Sequence, residues 1–458
     1  MKARQVKTSA DARKIVEERG LEHVKVGVFD IDGILRGKFL HKDKFLSSLE
    51  GGFGFCDVIY GCDSNDVCYD NVKFTGWHTG YPDAPVRVVP ESCRDVPFDF
   101  GGKGLFFLGE LDGTGEAICP RGLLKRLVKR ANDMGYEPYS AVEYEFFVFD
   151  ETPYSAREKG YRNLKPFTPG NFGYSAIRQT VHGGFHEAML STASAMDFPI
   201  EGLHTETGPG VLEAAIGVDK TLASGDKAVL FKAFIKVLAE KHNLMATFMA
   251  KWSPNYAGQS GHVHLSLKDR KSAKPLFHDP KAPRTMSREM RHFLGGQQAL
   301  MPELLGMVAA TVNSYRRLIP GYWAPTQATW GFENRTTSIR AIPGSPKSQR
   351  IEYRVASADS NPYLALAVAL GSGLWGIEHK IEPTEGVVGN AYAVNLPKKY
   401  HFPRTLTEAA ERLAASKAAR ALFGDAFVDH YAATREWEDR EFRKHISDWE
   451  LARYFEII

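Results

Sequence analysis

Residues 141–150, AVEYEFFVFD, combine two carboxylates with a run of apolar side chains. Successive side chains of a β-strand point to opposite faces, so Glu143 and Glu145 share one face of a strand whose other face is apolar. Adjacent like charges in a partly buried place repel each other and take up protons unless a cation neutralises them. The stretch therefore predicts a strand that holds a hard metal ion on its polar face.

Two later stretches repeat this arrangement of an apolar back and a polar front. In HVHLSL, residues 262–267, and in RIEYRV, residues 350–355, every second side chain is polar. The polar faces carry His262, His264 and Ser266 in the first stretch and Arg350, Glu352 and Arg354 in the second. Three strands of this design predict an open funnel in which carboxylates, imidazoles and guanidinium groups converge.

A further pair of carboxylates flanks a Gly-Pro-Gly turn in HTETGPGVLEAAI, residues 204–216. Magnesium and manganese prefer oxygen ligands and manganese also accepts imidazole, so such a funnel can hold two or three of these ions. Arginine binds phosphate and carboxylate bidentately, and the combination predicts phosphoryl transfer. The candidate metal ligands are Glu143, Glu145, Glu206, Glu213, His262 and Glu352.

Each of these motifs has a plainer interpretation when it stands alone. A single Glu-x-Glu on a strand is usually a solvated face, and a single His-x-His pair is more often a core or surface feature than a metal site. All of the motifs together are much harder to explain in that way.

The composition excludes several classes of protein. Of the 458 residues, 43% are hydrophobic and 25% charged, and a net charge of +3 is too small to indicate nucleic acid or an anionic membrane as partner. Five irregularly spaced cysteines predict free thiols rather than a disulfide framework or a zinc site. The charged N-terminus and the lack of an apolar run of ~20 residues predict neither signal peptide nor membrane span, and we expect a cytoplasmic protein.

The chain is long enough for one large and one small domain. An amphipathic helix and a hairpin with an Asp-Gly turn open a small α+β domain, which we expect to span residues 1–114. A helix that starts at Pro120 opens a larger domain, residues 115–458, in which strands and helices alternate up to a helical C-terminal tail.

The same residues and their surroundings resemble glutamine synthetase, of the type I kind. The matching segments, between about residues 26 and 458, are EYEFFVFD, HTETGPGVLE, AGQSGHVHLSL, NSYRRLIPGYWAP, FENRTTSIR and RIEYRVASADSNPYLALA. The resemblance implies a small N-terminal β-grasp domain and a large catalytic α/β domain that forms the funnel. It also implies rings of subunits, commonly two stacked hexamers, with active sites at their junctions.

Motif by motif, the resemblance implies a role for each polar residue. The ligands of one metal site in the family match Glu145, Glu206 and Glu213 of this sequence. The ligands of the other metal site match Glu143, His262 and Glu352. Arg317, Arg354 and Gly258 match positions that bind glutamate. Positions that face the ATP phosphates and the acyl phosphate match Arg335, Arg340 and Arg350, of which Arg340 is the catalytic candidate. His264 and Ser266 match positions on the nucleotide side.

The implied reaction has two steps, phosphorylation of the glutamate side chain by ATP and attack of a neutral amine on γ-glutamyl phosphate. In ammonia-using members, the loop written here as PGYWAP carries glutamate in place of Trp323. An indole can neither take a proton nor compensate a cation, but it offers a large apolar wall. We therefore predict a glutamate-amine ligase, similar to γ-glutamylamide and γ-glutamylpolyamine synthetases, with Trp323 at the acceptor.

The aspartate that family members supply to the ammonium pocket has no clear counterpart. The segment FGFCDVIYGCDSND offers Asp57 as the nearest catalytic candidate, with Asp63 and Asp66 as rivals. An alkylamine, with a pKa near the ~10.4 of lysine, needs a carboxylate or water to remove its proton, whereas an arylamine is already neutral. Both acceptor classes stay open.

Three alternatives compete with this interpretation: an ordinary glutamine synthetase that uses ammonia, a relative that kept the fold and lost catalysis, and another kinase of carboxylates or guanidines. Trp323 argues against the first, and the complete set of candidate ligands argues against the second. The long ordered motifs argue against the third. Tyr392, in GNAYAVNLP, sits where some relatives are adenylylated, and packing is the favoured interpretation of this tyrosine.

Overall fold

The computed structural model describes all residues, Met1–Ile458, as a mixed α/β fold built on two sheets. The strands are β1 His23–Phe29, β2 Leu35–His41, β3 Phe53–Cys56, β4 Asp83–Val96, β5 Gly104–Leu111, β6 Tyr136–Phe149, β7 Ile200–Thr205, β8 Val211–Ile216, β9 Asp219–Lys220, β10 Met245–Thr247, β11 Gly261–Asp269, β12 Trp330–Phe332, β13 Ile339–Ile342 and β14 Arg350–Tyr353.

The helices cover both sheets. They are α1 Ser9–Arg19, α2 Lys42–Gly51, α3 Pro120–Asp133, α4 Pro153–Glu158, α5 Ala176–Val181, α6 Gly183–Ala195, α7 Thr221–Lys241, α8 Arg288–Leu304, α9 Ser314–Arg317, α10 Pro362–Glu378, α11 Leu406–Ala415, α12 Lys417–Phe423, α13 Asp425–Phe442 and α14 Asp448–Tyr454. None of them combines the length and the apolar composition that crossing a bilayer requires. All five cysteines are free thiols, as predicted.

The first sheet has five strands in the order β2-β1-β5-β4-β3, with β1 and β5 parallel and the other pairs antiparallel. The predicted hairpin is confirmed, because β1 and β2 pair around a turn in which Gly33 has a φ of +79°. All five strands lie before residue 114. The domain boundary at that residue and the β-grasp assignment stay predictions.

The second sheet has nine strands, and its main path is β12-β13-β14-β11-β6-β8-β7. The three strands predicted from their alternating side chains, β6, β11 and β14, are confirmed and are direct neighbours. The Gly-Pro-Gly turn is also confirmed, since it joins β7 to β8 and has positive φ angles at Gly208 and Gly210. The polar faces predicted separately therefore form one continuous surface.

Helix α7 explains why that surface stays open. The apolar side of β6 packs on this buried helix, with the ring of Tyr144 stacked on Phe231 at 6.0 Å. Phe146 stacks on Phe248 at 5.2 Å in the same aromatic layer. Because the helix covers the apolar face, the polar face of the sheet is left to line a cavity.

The first sheet is held against the rest of the chain by polar and aromatic contacts. The side-chain amide of Asn361 donates to the carbonyls of Asp30 and Ile31, and Arg435 forms an ion pair of 2.7 Å with Asp32. At the C-terminus, α13 ends at Phe442 and α14 restarts behind a capping box at Ser447. The tail beyond it leaves several apolar side chains exposed.

Candidate active site

The register of the second sheet aligns the polar side chains across neighbouring strands. The facing pairs are His262 with Glu143, Glu145 with Glu213, His264 with Glu352, and Arg340 with Glu352. Residues that are far apart in sequence thereby become cross-strand neighbours at about 5 Å. Strand pairing alone brings carboxylates, imidazoles and a guanidinium onto one patch.

This patch lines a cavity of about 520 Å³. All six candidate metal ligands line it, namely Glu143, Glu145, Glu206, Glu213, His262 and Glu352. So do Gly258, His264, Arg317, Trp323, Arg335, Arg340, Arg350 and Arg354. The structure thus brings together every predicted site residue except Ser266 and Asp57.

One end of the cavity holds a cluster that includes a residue missed by the sequence analysis. His204 Nε2 lies 2.9 Å from Glu213, and His204 Nδ1 lies 3.7 Å from Glu206. One potential ligand atom from each of these residues lies within 4.8 Å of the others. The resemblance to glutamine synthetase implies that Glu145 belongs to the same metal site. In the structure, Glu145 accepts two 2.6 Å hydrogen bonds, from the backbone N–H and the hydroxyl of Ser260.

The electrostatics of this cluster fit a divalent cation. Burial raises the pKa of Glu213 to about 8, with Glu143 and Glu145 acting in the same direction against the bond from His204. Burial alone would lower the pKa of His204, but its hydrogen bond to Glu213 raises it to about 9. At neutral pH both side chains therefore keep their protons, and these protons offset the negative charge that is crowded into the cluster. A bound divalent ion would offset the same charge.

The other end of the cavity holds His262, Glu143 and Glu352. His262 Nδ1 lies 3.3 Å from Glu352 and 3.6 Å from Glu143, and this buried nitrogen has no hydrogen-bond partner. Burial would raise the pKa of Glu352, but Arg354, His262 and His264 lower it to about 2. An unpartnered imidazole nitrogen that faces an ionised carboxylate fits a metal ion with mixed nitrogen and oxygen ligands.

Arg317 forms the floor of the cavity and is only 2% exposed. Its guanidinium donates to the carbonyls of Val355 and Arg354 at 2.9 and 3.1 Å. Burial lowers the pKa of Arg317 to about 10, so the side chain stays charged at neutral pH. Gly258 packs so closely on it that a Cβ there would lie 2.7 Å from Arg317 Cγ. The glycine is therefore needed for the position of the arginine.

Arg350 lies toward a second, adjoining cavity of about 350 Å³. Glu143, His264 and Arg350 line both cavities, and Ser266 lines only the second one. Arg350 Nε donates to His264 Nδ1 at 3.2 Å. Ser266 is therefore placed beside the central site rather than in it.

Arg340 is held between two carboxylates. Its Nη1 donates to Glu352 at 3.0 Å, and its Nε donates to Glu333 at 3.0 Å. Glu333 has a φ of +51°, an uncommon conformation for a residue with a side chain. This contact was not predicted, and it fixes the guanidinium that points at the carboxylate cluster.

Trp323 lies in the loop between α9 and β12 and is 59% exposed, with a φ of +58°. Its neighbour Tyr322 also lines the cavity and packs on the ammonium of Lys251, 4.3 Å from the ring centre. The only carboxylates of the cavity wall are the five glutamates among the six candidate metal ligands, and no other Asp or Glu lines it. The loop therefore presents aromatic rings and no free carboxylate.

Asp57 does not reach the cavity of its own chain. It is buried in the first sheet's layer, where its carboxylate accepts a 2.6 Å hydrogen bond from Thr75. Asp63 accepts from the indole of Trp437, and Asp66 pairs with Arg36. The structure therefore separates all three aspartates from the cavity to which the sequence analysis assigned one of them.

Known proteins share both the sequence and the fold. The family described as glutamine synthetase, catalytic domain, matches residues 117–454. Type-1 glutamine synthetase 2 of Dictyostelium discoideum is 44% identical over 95% of this chain and 84% of its own. A glutamate–isopropylamine ligase of a Pseudomonas species is 34% identical over 97% of both chains. A solved structure titled GmaS/ADP complex superposes with a TM-score of 0.84 at 24% identity, covering 97% and 99% of the two chains, which supports the fold. The chain belongs to the glutamine synthetase family and is an ATP-dependent carbon–nitrogen ligase.

Proposed function

We propose that this ligase couples the γ-carboxylate of glutamate to an organic amine through γ-glutamyl phosphate. The observation that carries the proposal is Trp323, which lines the cavity where ammonia-using members carry glutamate. The relative that is 34% identical is named a glutamate–isopropylamine ligase, and another, 31% identical, a γ-glutamylputrescine synthetase. Both names describe ligases that use an organic amine.

Divalent ions fit the two ends of the cavity, with magnesium and manganese as the candidates. Glu206 and Glu213 with His204 or Glu145 would hold one ion, and Glu143, His262 and Glu352 the other. Such ions supply positive charge that offsets the phosphates of ATP. His204, which the sequence analysis did not include among the ligands, lies 2.9 Å from Glu213 and is a further candidate ligand.

The chain's own arginines account for substrate placement. We assign the glutamate carboxylates to Arg317 and Arg354, whose guanidinium groups lie at the buried end of the cavity. Arg340, oriented by Glu333 and Glu352, would face the phosphoryl group as it passes from ATP to the γ-carboxylate, with Arg335 and Arg350 on the nucleotide side. Oriented guanidinium groups stabilise charge that spreads over the phosphoryl oxygens during transfer.

The acceptor is then an amine that approaches as the neutral base. Its nitrogen attacks the γ-carbonyl carbon, phosphate leaves, and the surplus proton on nitrogen passes to water or a carboxylate. The aromatic rings of Tyr322 and Trp323 suit an apolar substituent and exclude water from the acyl phosphate. Alkyl and aryl amines both satisfy these constraints.

We also propose that the site is completed by a second subunit in a ring of identical chains, with two stacked hexamers as the expected assembly. Support comes from the C-terminal tail, where Phe455, Ile457 and Ile458 are 82 to 94% exposed. Exposed apolar groups of this size usually mark a protein interface. In such a ring, Asp57 of one subunit is the candidate proton acceptor for the next.

Glutamine synthesis from ammonia is the second candidate function, because the relative that is 44% identical is named a glutamine synthetase. Exchange of Trp323 for glutamate separates the two. Phosphate release is measured with ATP, glutamate and either ammonia or methylamine, ethylamine, isopropylamine, ethanolamine, a diamine and aniline. We expect Trp323→Glu to gain ammonia activity and lose activity with the preferred amine, whereas Tyr154→Glu, at a 77% exposed aromatic residue outside the cavity, changes neither. Wild-type preference for ammonia would contradict the proposal.

A further inference from the structure

Lys251 carries a buried ammonium group without a polar partner. The residue is 7% exposed, and its Nζ forms no hydrogen bond. Burial lowers the pKa of Lys251, and no carboxylate is close enough to raise it again. Buried charges are normally paired, because removing a charge from water is costly. The ammonium must therefore be stabilised by another kind of contact.

That contact is with the aromatic ring of Tyr322. The ammonium of Lys251 lies 4.3 Å from the ring centre. At this distance the electron-rich face of the ring attracts a cation, and the attraction is strongest where water is excluded. Tyr322 itself lines the catalytic cavity, next to Trp323. Lys251 is therefore linked, through one ring, to the loop that we assign to the acceptor amine.

The backbone of Lys251 is fixed, so its side chain can hold the loop in place. The N–H of Lys251 donates to Asn313 Oδ1 at 2.8 Å, and its carbonyl accepts from Asn313 Nδ2 at 2.8 Å. Asn313 directly precedes α9, the helix that ends at Arg317. In the loop that follows, Trp323 has a φ of +58°, a conformation that persists only where neighbouring contacts support it. The ring of Tyr322 on Lys251 is such a contact.

The charges around the acceptor position are almost all positive once the metal sites are filled. The carboxylates that line the cavity are the glutamates that we assign to metal ions, so none of them is free to pair with a second cation. Five arginines line the same cavity, and Lys251 adds a positive charge behind Tyr322. An amine with a second ammonium group would find no counter-ion in this chain and would be repelled.

We propose that Lys251 is a positioning residue that holds Tyr322 and Trp323 as the wall of the acceptor site, and that this wall selects monoamines with an uncharged substituent over diamines. The inference rests on the proposed function and narrows its acceptor. The faces of the two rings would pack on the apolar substituent. The positive charge behind Tyr322 would disfavour a terminal ammonium group.

The test compares n-butylamine with 1,4-diaminobutane, which have carbon chains of equal length and differ in one terminal amine. Phosphate release by the full-length protein is measured with each amine varied at saturating ATP and glutamate. We expect a kcat/KM about fivefold or more higher for butylamine. Lys251→Met removes the charge from a side chain of similar length. It should raise the KM for butylamine about fivefold and reduce the preference over diaminobutane, with the KM values for glutamate and ATP unchanged.

Three further variants separate this positioning role from a general loss of structure. Lys251→Arg keeps the charge and should keep the preference for butylamine. Tyr322→Leu removes the ring and should weaken butylamine binding as Lys251→Met does, and the double variant should be little worse than either single one, because both changes break the same contact. Lys399→Met removes an ammonium 4.9 Å from the ring of Tyr400, outside the catalytic cavity, and should alter the use of neither amine.

Equal or better use of diaminobutane by the wild-type protein would overturn the inference and leave the proposed function intact. So would an unchanged KM for butylamine in Lys251→Met and Tyr322→Leu, or a loss that falls equally on glutamate and ATP. Wild-type preference for ammonia over both amines would instead overturn the proposed function and the inference with it.

Discussion

Exchange of Gly258 for alanine tests how the buried end of the active site is built. The added Cβ would lie 2.6 Å from the carbonyl oxygen of Ala250 and 2.7 to 2.8 Å from the stem of Arg317. The carbonyl cannot retreat, because it accepts a 2.7 Å hydrogen bond from the backbone of Gln259. The stem of Arg317 must therefore move, by about 0.8 Å if an ordinary carbon–carbon contact of about 3.5 Å is to be restored.

That movement acts on the guanidinium, which is anchored by bonds of 2.9 and 3.1 Å to Val355 and Arg354. A hydrogen bond that involves a charged group contributes about 1.5–3 kcal/mol. Loss of such a bond between the displaced Arg317 guanidinium and a glutamate carboxylate would weaken glutamate binding by about ten- to hundredfold. We expect the KM for glutamate to rise by that factor, with the KM for ATP little changed. Steady-state phosphate release with glutamate varied measures it.

Gly184→Ala is the matched control, since a Cβ at Gly184 meets nothing within 4 Å. Thermal unfolding of both variants separates loss of binding from loss of structure. An unchanged KM for glutamate in a folded Gly258→Ala protein would refute the assignment of Arg317 to this substrate.

Three further predictions follow from individual contacts. His204→Gln should raise the manganese concentration that gives half-maximal phosphate release by about tenfold or more, because the imidazole lies 2.9 Å from Glu213. An unchanged manganese titration would show that His204 is not part of the metal cluster. Glu333→Gln frees Arg340 of a partly exposed ion pair and should raise the KM for ATP about two- to fivefold, whereas Glu385→Gln, outside the site, should leave it unchanged. Burial gives His430 a pKa of about 4 in the folded protein, compared with about 6.5 in the unfolded chain, so the unfolded chain binds a proton more readily. The free energy of unfolding is therefore highest above pH 6.5 and decreases as the pH falls toward 4. The loss amounts to about 2 kcal/mol between pH 7 and 5, and urea unfolding should show that His430→Gln flattens this dependence.

The sequence predicted those parts of the site that depend on local periodicity. β6, β11 and β14 alternate polar and apolar side chains, and this pattern fixes which side chains face the cavity whatever the neighbouring strands are. The Gly-Pro-Gly turn before Glu213 is likewise a local signal. These features needed no knowledge of tertiary structure.

The missed features depend on which strands become neighbours. His204 joins the carboxylates only because β7 pairs with β8 and places it opposite Glu213, and periodicity within one strand does not reveal such a pairing. Its position two residues before Glu206 on the same face was the one local signal. Asp57 was assigned from an uncertain motif alignment, and its burial against Thr75 depends on the packing of the first sheet. The restart of the C-terminal helix could have been found, because Ser447 and Glu450 form a capping box.

The most direct test of the account is a competition experiment that identifies the product. The purified protein is incubated with ATP, magnesium or manganese, glutamate and an equimolar mixture of ammonia and the organic amines, and the γ-glutamyl products are separated by mass spectrometry. We predict that a γ-glutamylamide of an organic amine predominates and that its formation stops when the divalent ion is chelated. Glutamine as the main product, or amide formation that persists after chelation, would contradict the account.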